Sequence, residues 1–180
     1  MILITGGSGN VGTELVRILM ARGIPFRAMV RSPDAAQKMA PRAGVEVVAG
    51  DFNDPATIER ALTGINRAFL LTPSSEQAEA QQSTFVEAAR RAGVQHIVKL
   101  SQLAAAEDSP VRFLRYHAAI ERAIRASGLR YTFLRPNLFM QGFLGFRHSI
   151  IAEGKFFAAA VTLRSVPSTS ATSRPSRPRP

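Results

Sequence analysis

The sequence predicts an α/β fold in which a parallel sheet carries helices on both of its faces. Two observations lead to this prediction. Short apolar segments alternate with helical segments over residues 1–134, which is typical of βα units rather than hairpins. The apolar segments are hydrophobic at nearly every position, as strands buried on both faces are. The chain of 180 residues is long enough for one domain with a full core and too short for two.

Six strands and five helices are expected in alternation. The strands are predicted at residues 1–5, 24–30, 45–48, 67–71, 96–100 and 131–134. The helices are predicted at residues 11–22, 33–39, from 55 onward, 76–92 and 110–126. Glycines at 23, 93 and 128 are expected to end three of these helices, and Asp54-Pro55 is a typical helix start. Together the elements predict a doubly wound, Rossmann-type α/β domain of about six strands.

Three glycines follow the first strand at intervals of three residues, namely Gly6, Gly9 and Gly12. Between a strand and a helix, such glycines allow a sharp turn, close approach of backbone amides to a pyrophosphate, and close helix packing. The amino terminus of the following helix adds a positive dipole end and unpaired N–H groups. The sequence therefore predicts a dinucleotide site here, and a tight turn without a ligand is the alternative.

The residue after the second strand bears on which nicotinamide cofactor binds. NAD-specific domains place an acidic residue there, whereas this chain has Arg31, and its nearest acid is Asp34. A guanidinium suits a ribose 2′-phosphate, so NADP(H) is expected, with NAD(H) as the second choice and a solvated surface arginine as the alternative interpretation. After the third strand, Asp51 is expected either to accept from the adenine amino group or to cap a turn.

Composition narrows the remaining function classes. The net charge of +10 is spread along the chain without a basic stripe interleaved with aromatics, so nucleic-acid binding is not expected. The absence of cysteine excludes disulfides, thiolate chemistry and cysteine-based metal sites, and no metal is expected. No apolar run has the length of a membrane span, and the amino terminus does not resemble a signal peptide. A cytoplasmic protein without a membrane partner is expected, and its oligomeric state stays open.

Five segments together resemble the NmrA-like atypical short-chain dehydrogenases, a group that includes type-2 NAD(P)H:quinone reductases. They are residues 5–12, 30–31, 50–52, 69–73 and 134–137, and the resemblance covers residues 1 to about 160. It implies that NADP(H) lies in the cleft outside the carboxyl ends of the strands. The contacts it implies are Gly6, Gly9, Asn10, Val11 and Gly12 on phosphate, Arg31 at the 2′-phosphate, Asp51 and Phe52 near adenine, and Thr72 and Pro73 along the ribose.

The usual catalytic pair of short-chain dehydrogenases, Tyr-x-x-x-Lys on the fifth helix, is absent, because Tyr116 is followed four residues later by Ile120. The chain has His117 and Glu121 instead, four residues apart on one helix face, which resembles the His-x-x-x-Glu of quinone-reductase-like members. His117 is expected to donate a proton or to hold nicotinamide or substrate, with Glu121 orienting it. A surface histidine beside a helix-stabilising carboxylate is the alternative.

The end of the fifth strand supplies further candidates. Ser101 and Gln102 lie where that strand is expected to meet the cleft, and Gln102 is included among the predicted cofactor contacts. Their position rather than their residue type recommends them. Lys99 is another polar candidate there, but it is expected to be a cation at the strand end.

The region after the sixth strand divides in two. Residues 137–152 are rich in Phe and Leu, and a helix-turn-helix segment there would either line a substrate pocket or pack as core; residues 137–160 are expected to begin a substrate-side lobe. From residue 161 Ser, Thr, Arg and Pro dominate without periodicity, so residues 161–180 are predicted to be a disordered tail. Members of the family continue with the rest of the lobe, so one hypothesis is a shift of reading frame near codon 160; a genuine basic tail is the other. The DNA sequence there separates them.

The expected function is hydride transfer from NADPH to a quinone or related carbonyl acceptor, near Thr72, Gln102, His117 and the Phe-rich segment. The cofactor carries the chemistry of this step, so the missing Tyr/Lys pair does not exclude an enzyme. Two alternatives stay open: a non-catalytic NADP-binding redox sensor of the NmrA type, and an inactive member whose substrate lobe is incomplete.

Overall fold

The computed structural model describes residues 1–31, 44–137 and 139–155. All six predicted strands form, and every neighbouring pair in the sheet is parallel. The strands are β1 (Ile2–Ile4), β2 (Phe26–Val30), β3 (Val45–Ala49), β4 (Arg67–Leu70), β5 (His96–Leu100) and β6 (Arg130–Leu134). Their spatial order is β3-β2-β1-β4-β5-β6. The winding direction therefore reverses between β1 and β4, where a doubly wound sheet opens its binding crevice.

Four helices alternate with these strands in the described residues. They are α1 (Asn10–Ala21), α2 (Pro55–Leu62), α3 (Ala78–Arg91) and α4 (Arg112–Ala126). The start predicted for α2 is confirmed, because the Asp54 carboxylate accepts a hydrogen bond from the Ala56 amide at 3.1 Å and Pro55 takes the first helical position. The helix predicted at residues 33–39 lies outside the described residues.

The hydrophobic core lies on both faces of the sheet. On one face the strands pack against α2, α3 and α4 through side chains that include Leu3, Ile97 and Ile120. On the other face, Ile4 and Phe26 pack against α1 through Val16. Leu3 and Ile4 are both buried and point to opposite faces, as successive residues of a strand do. The predicted doubly wound α/β architecture is confirmed.

The parallel sheet brings the predicted site segments to one edge. Each of these segments follows the carboxyl end of a strand, and the strands pair in register, with Ile4 opposite Phe69 and Leu70 opposite Lys99. The segments that meet at this edge are residues 5–12, 31, 50–52, 71–73, 101–102 and 135–137. We call it the carboxyl edge.

A second compact unit begins at Phe139. Its described residues form a 3-10 helix (Met140–Phe146) that continues directly into α5 (Arg147–Glu153). The helix-turn-helix predicted for this segment is therefore wrong in detail, and two glycines within the 3-10 helix, Gly142 and Gly145, weaken an α-helix there. The predicted tail at residues 161–180 lies outside the described residues. Among the helices that are described, none is long and apolar enough to cross a membrane.

Candidate functional site

The glycine loop between β1 and α1 is tightly wound. Gly6 has φ +67°, a backbone conformation that L-residues rarely adopt, and a Cβ atom there would lie 3.0 Å from Cγ of Leu71. A Cβ atom on Gly12 would lie 2.0 Å from the carbonyl oxygen of Gly6. The loop and the first turn of α1 therefore fit together only if both residues are glycine.

Gly9 differs from these two glycines because a Cβ atom there would clash with nothing. A Cβ atom there would meet only the Gly6 carbonyl oxygen, at an ordinary contact distance of 3.5 Å. Gly9 is also the cap of α1, and its carbonyl accepts from the Thr13 amide at 2.8 Å. The first-turn amides, Asn10 to Gly12, have no intrahelical partners, and amides in this position are typical donors to an anion.

Thr5 connects the glycine loop to the next strand of the sheet. Its buried hydroxyl lies 3.0 Å from the carbonyl oxygens of Phe69 and Leu71, and it accepts from the Leu71 amide at 2.9 Å. These contacts join the ends of β1 and β4, where the winding direction reverses. The Thr5 side chain, at the start of the glycine motif, thereby fixes the ends of β1 and β4 relative to each other.

The residues predicted around the adenosine end occupy different environments. Arg31 follows β2 and is exposed. The Asp51 carboxylate accepts from the Asn53 amide at 2.9 Å, so Asp51 forms the turn cap that was one of its two predicted roles. The Phe52 side chain is buried in the core, with its ring centroid 5.9 Å from that of Phe85. Only the backbone of Phe52 is therefore available to a ligand at the carboxyl edge.

Lys99 lies one residue before the end of β5, as expected, but its cation is fully buried instead of reaching solvent. Lys99 lies two residues after Ile97, so both side chains are on the same face of β5, the face that α3 and α4 cover. Its ammonium donates to Oε1 of Gln82 at 2.7 Å and to the Leu100 carbonyl at 3.4 Å, and it lies 3.0 Å from Nδ1 of His117. Gln82 in turn donates through Nε2 to the Thr72 hydroxyl at 2.8 Å. We call these residues the Lys99 chain.

The electrostatics of the Lys99 chain follow from burial. Burial lowers the pKa of Lys99 to about 7, against an opposing effect of the Glu121 charge, which raises it. Burial and the Lys99 charge lower the pKa of His117 to about 4, again against Glu121. His117 is therefore neutral near pH 7. Because its Nδ1 accepts from the ammonium, its proton is assigned to Nε2.

Glu121 is the centre of a second polar cluster and is 1% exposed. Its carboxylate accepts from the Ser101 hydroxyl at 2.6 Å and from Nε of Arg135 at 2.9 Å. A second nitrogen of Arg135 and, at 3.1 Å, Arg125 bind its other oxygen. Burial by itself raises the pKa of Glu121, but the hydrogen bonds from Arg135 and Ser101 and the charges of both arginines bring it below its usual value.

The predicted contact between His117 and Glu121 does not form, so Glu121 does not orient the imidazole directly. Each of the two residues contacts a different element of the sheet: His117 meets Lys99 of β5, and Glu121 joins Ser101 after β5 to Arg135 after β6. His117 also packs against the ring of Tyr116 at 4.5 Å. The Tyr116 hydroxyl donates to the Ser74 hydroxyl at 3.3 Å.

Sequence reasoning missed Gln82 and Arg135 and misjudged Lys99. Two of these have a signal in the sequence. Gln82 lies on the apolar stripe of α3, one turn after Ala78 and one turn before Val86, and Lys99 interrupts an apolar strand at a buried position. The other predicted contacts, Thr72, Pro73 and Gln102, lie at the carboxyl edge, and Thr72 joins the Lys99 chain. Within the described ranges no cluster of His, Asp and Glu has the arrangement of a metal site.

Comparison with known sequences relates the chain to reductases. The profile of the NmrA-like family matches residues 1–170. An NAD(P)H azoreductase of Xenophilus azovorans is 36% identical over 157 residues, which are 87% of this chain and 54% of the relative. Quinone oxidoreductase 2 of Escherichia coli K12 is 32% identical over 164 residues, 89% of this chain and 56% of the relative. The chain thus spans about half the length of these curated relatives.

Solved structures give the same relationship. An NADPH-dependent quinone oxidoreductase from Escherichia coli, complexed with NADPH, superimposes with a TM-score of 0.77 at 32% identity, covering 86% of this chain and 55% of that one. The triphenylmethane reductase of a Citrobacter species, complexed with NADP(H), gives a TM-score of 0.75 at 34% identity, covering 83% and 54%. With sequence profile, identity and fold in agreement, the chain belongs to the NmrA-like family.

Proposed function

We propose that the chain is the NADP(H)-binding part of a reductase that transfers a hydride to a quinone or a related electron-poor acceptor. The observation that carries the proposal is the glycine loop at the point where the sheet reverses its winding. There the loop delivers the amino terminus of α1 to the carboxyl edge. The curated relatives named as NAD(P)H and quinone reductases support the same reaction class.

The geometry of the loop fits a pyrophosphate. The open side of Gly9 lets phosphate oxygens approach the backbone, whereas a side chain there would project into that space. The unpartnered amides at the start of α1 supply donors, and the helix dipole favours the negative charge. Gly6, Gly9, Asn10, Val11 and Gly12 would therefore hold the phosphates.

NADP(H) is the better fit of the two nicotinamide cofactors. Arg31 stands exposed after β2, where its guanidinium would form charge-assisted hydrogen bonds to a 2′-phosphate. The two solved relatives with bound cofactor contain NADPH or NADP(H). The backbone of Asp51 and Phe52 would lie near the adenine, and Thr72, Pro73 and Gln102 would lie along the ribose and nicotinamide.

The remaining chemistry of the site concerns a proton. A bound reduced nicotinamide supplies the hydride, so the chain itself must position the acceptor and protonate the oxygen that the hydride leaves negative. His117 is the candidate donor, because it is neutral, half-buried and carries its proton on Nε2. Glu121 then has a supporting role: it joins the segments after β5 and β6 at the carboxyl edge.

Cofactor titration and turnover measurements test this proposal. NADPH and NADH would be titrated against the chain by fluorescence, and NADPH oxidation would be followed with a panel of quinones and azo dyes. We expect tighter binding of NADPH than of NADH and quinone-dependent oxidation. Failure to bind either nucleotide would contradict the cofactor assignment.

A non-catalytic redox sensor is the second candidate. It is favoured by one observation: the position of the usual catalytic lysine on α4 is taken by Ile120, which is buried in the core. A sensor would bind NADPH with the same preference but oxidise none of it in the presence of any acceptor. Binding without turnover, in the chain extended to the length of its relatives, would therefore favour the sensor.

A further inference from the structure

Lys99 is a buried cation whose contacts account for all of its hydrogen-bonding capacity. An ammonium has three N–H donors, and Lys99 has three acceptors: Oε1 of Gln82, the Leu100 carbonyl and Nδ1 of His117. A purely apolar residue would pack at this position at lower cost, since a buried cation must be compensated by every one of its partners. The proposed function so far gives this group no role.

The partner of the ammonium is partly exposed, although the ammonium itself is not. Lys99 is 0% exposed, whereas His117 is only partly buried. Among the residues that the structure describes, no side chain accepts from Nε2 of His117. The imidazole thus has a buried proton donor at Nδ1, and its Nε2 is left for a partner outside the described side chains.

We propose that Lys99 supplies the proton of the reduction through His117, whose Nδ1 takes a proton from the ammonium while its Nε2 gives one to the substrate oxygen. This inference rests on the proposed reductase function. Because Lys99 acts through another side chain, it is a positioning residue, and His117 is the catalytic one.

The step balances in atoms and electrons. The hydride brings the electron pair to the quinone, and one carbonyl oxygen becomes an alkoxide or phenolate that needs one proton. The Nε2–H bond of His117 breaks as the substrate O–H bond forms, and an Nζ–H bond of Lys99 breaks as Nδ1–H forms. His117 begins and ends neutral, with its proton moved from one nitrogen to the other. Lys99 ends as a neutral amine; solvent then protonates Nε2 of His117 as Nδ1 returns its proton to Lys99, which restores both residues.

The charges around Lys99 are suited to this exchange. Glu121 and His117 approach from α4, Gln82 approaches from α3, and the residues beside Lys99 in the sheet are Leu70 and Phe133. Glu121 is the one anion among them, and the arginines that bind it reduce its effect. The pKa of Lys99, lowered to about 7 by burial, lets the amine lose and regain its proton near neutral pH.

Nitrogen NMR of the imidazole rings tests the proposal without turnover. The chain has three histidines, His96, His117 and His148, so the ring signals can be assigned with single variants. We expect His117 to be the Nε2–H tautomer, with an Nδ1 shift that moves as Lys99 titrates near pH 7. Lys99→Met should abolish that movement, and Lys155→Met, at an exposed lysine, should not. An Nδ1–H tautomer, or no movement near pH 7, would overturn the proposal even if the variants fail to fold.

Kinetics with NADPH and menadione separate proton supply from packing. Lys99→Ala should lower kcat by about 100-fold and leave KM for menadione nearly unchanged. The rate of the wild type should fall as pH rises through 7, and the rate of the variant should not. Ethylammonium should restore part of the rate, because it replaces the missing ammonium. A higher KM with an unchanged kcat, or no rescue by ethylammonium in a folded variant, would overturn the proposal. A wild-type chain without turnover would contradict the reductase function, and the NMR result would still decide whether Lys99 and His117 exchange a proton.

Discussion

The carbonyl oxygen of Gly6 occupies the position of any side chain on Gly12, because a Cβ atom there would lie 2.0 Å away. The loop and the first turn of α1 are thus in contact through backbone atoms. Gly9, halfway between them, has no such neighbour: its nearest atom would be 3.5 Å from a Cβ. Gly12 therefore serves packing, whereas Gly9 has no packing role of this kind, which fits the ligand approach proposed for it.

Alanine variants should separate these purposes. Gly12→Ala must displace the loop, and we expect it to lower the free energy of unfolding by about 1–3 kcal/mol and to abolish NADPH binding. Gly9→Ala should lower stability by less than about 1 kcal/mol, the ordinary cost of alanine at a helix cap, but still weaken NADPH binding. Urea unfolding and fluorescence titration measure the two quantities. Equal loss of stability in both variants would contradict the assignment.

Arg31 should determine the choice between the two nicotinamide cofactors. Arg31→Ala removes the charge-assisted hydrogen bonds proposed for the 2′-phosphate, and we expect NADPH to bind about 10- to 100-fold more weakly with little change for NADH. Arg22→Ala, at an exposed arginine just after α1, is the matched control and should change neither affinity. Equal wild-type affinities for NADPH and NADH would refute the preference.

The sequence was sufficient to predict the fold and which segments meet at the carboxyl edge. Runs of apolar residues locate all six strands, and parallel pairing then brings their carboxyl ends together wherever the helices lie. The glycine spacing carries local information, since Gly6 and Gly12 meet across only six residues. The least accurate prediction of the fold concerned residues 137–152. There the chain forms a 3-10 helix that contains two glycines, where an α-helix was expected.

The polar contacts of the site were not predictable in the same way. Spacing along α4 pairs Glu121 with His117, but it carries no information about Arg135, which reaches Glu121 from the end of another strand. A lysine at the end of a strand usually reaches water, and only its place on the same face as Ile97 indicates that Lys99 is buried. Such contacts depend on which side chains the tertiary fold brings together, and a single sequence does not contain that information.

Glu121 should stabilise the fold in a pH-dependent manner. Its pKa is lower in the folded chain than in the unfolded one, so its contribution is present above its ordinary value of 4.5 and is lost as pH falls through the lowered pKa. Glu121→Gln should therefore cost about 1–3 kcal/mol at pH 7, and the difference should shrink in acid.

The matched control for Glu121 is Glu107→Gln. Glu107 forms an exposed pair with Arg122 at 2.6 Å, and such pairs contribute less than about 1 kcal/mol. Urea unfolding between pH 3 and 7 measures both variants. If the two substitutions cost the same at pH 7, the buried cluster has no special stabilising role.

Lys99 should also make stability rise with pH, but in an alkaline window, because it is a buried base whose pKa is lowered by folding. Its pKa is about 7 in the folded chain, against an ordinary value of 10.5, so between these values the unfolded chain binds the additional proton. Stability should therefore rise with pH across this window, by at most about 1.4 kcal/mol per unit. Lys99→Met lacks this proton, so the stability of wild type relative to the variant should increase from pH 7 to 10. Parallel stability curves would show that Lys99 keeps its ordinary pKa after folding, and the proton supply inferred for His117 would then lose its source near neutral pH.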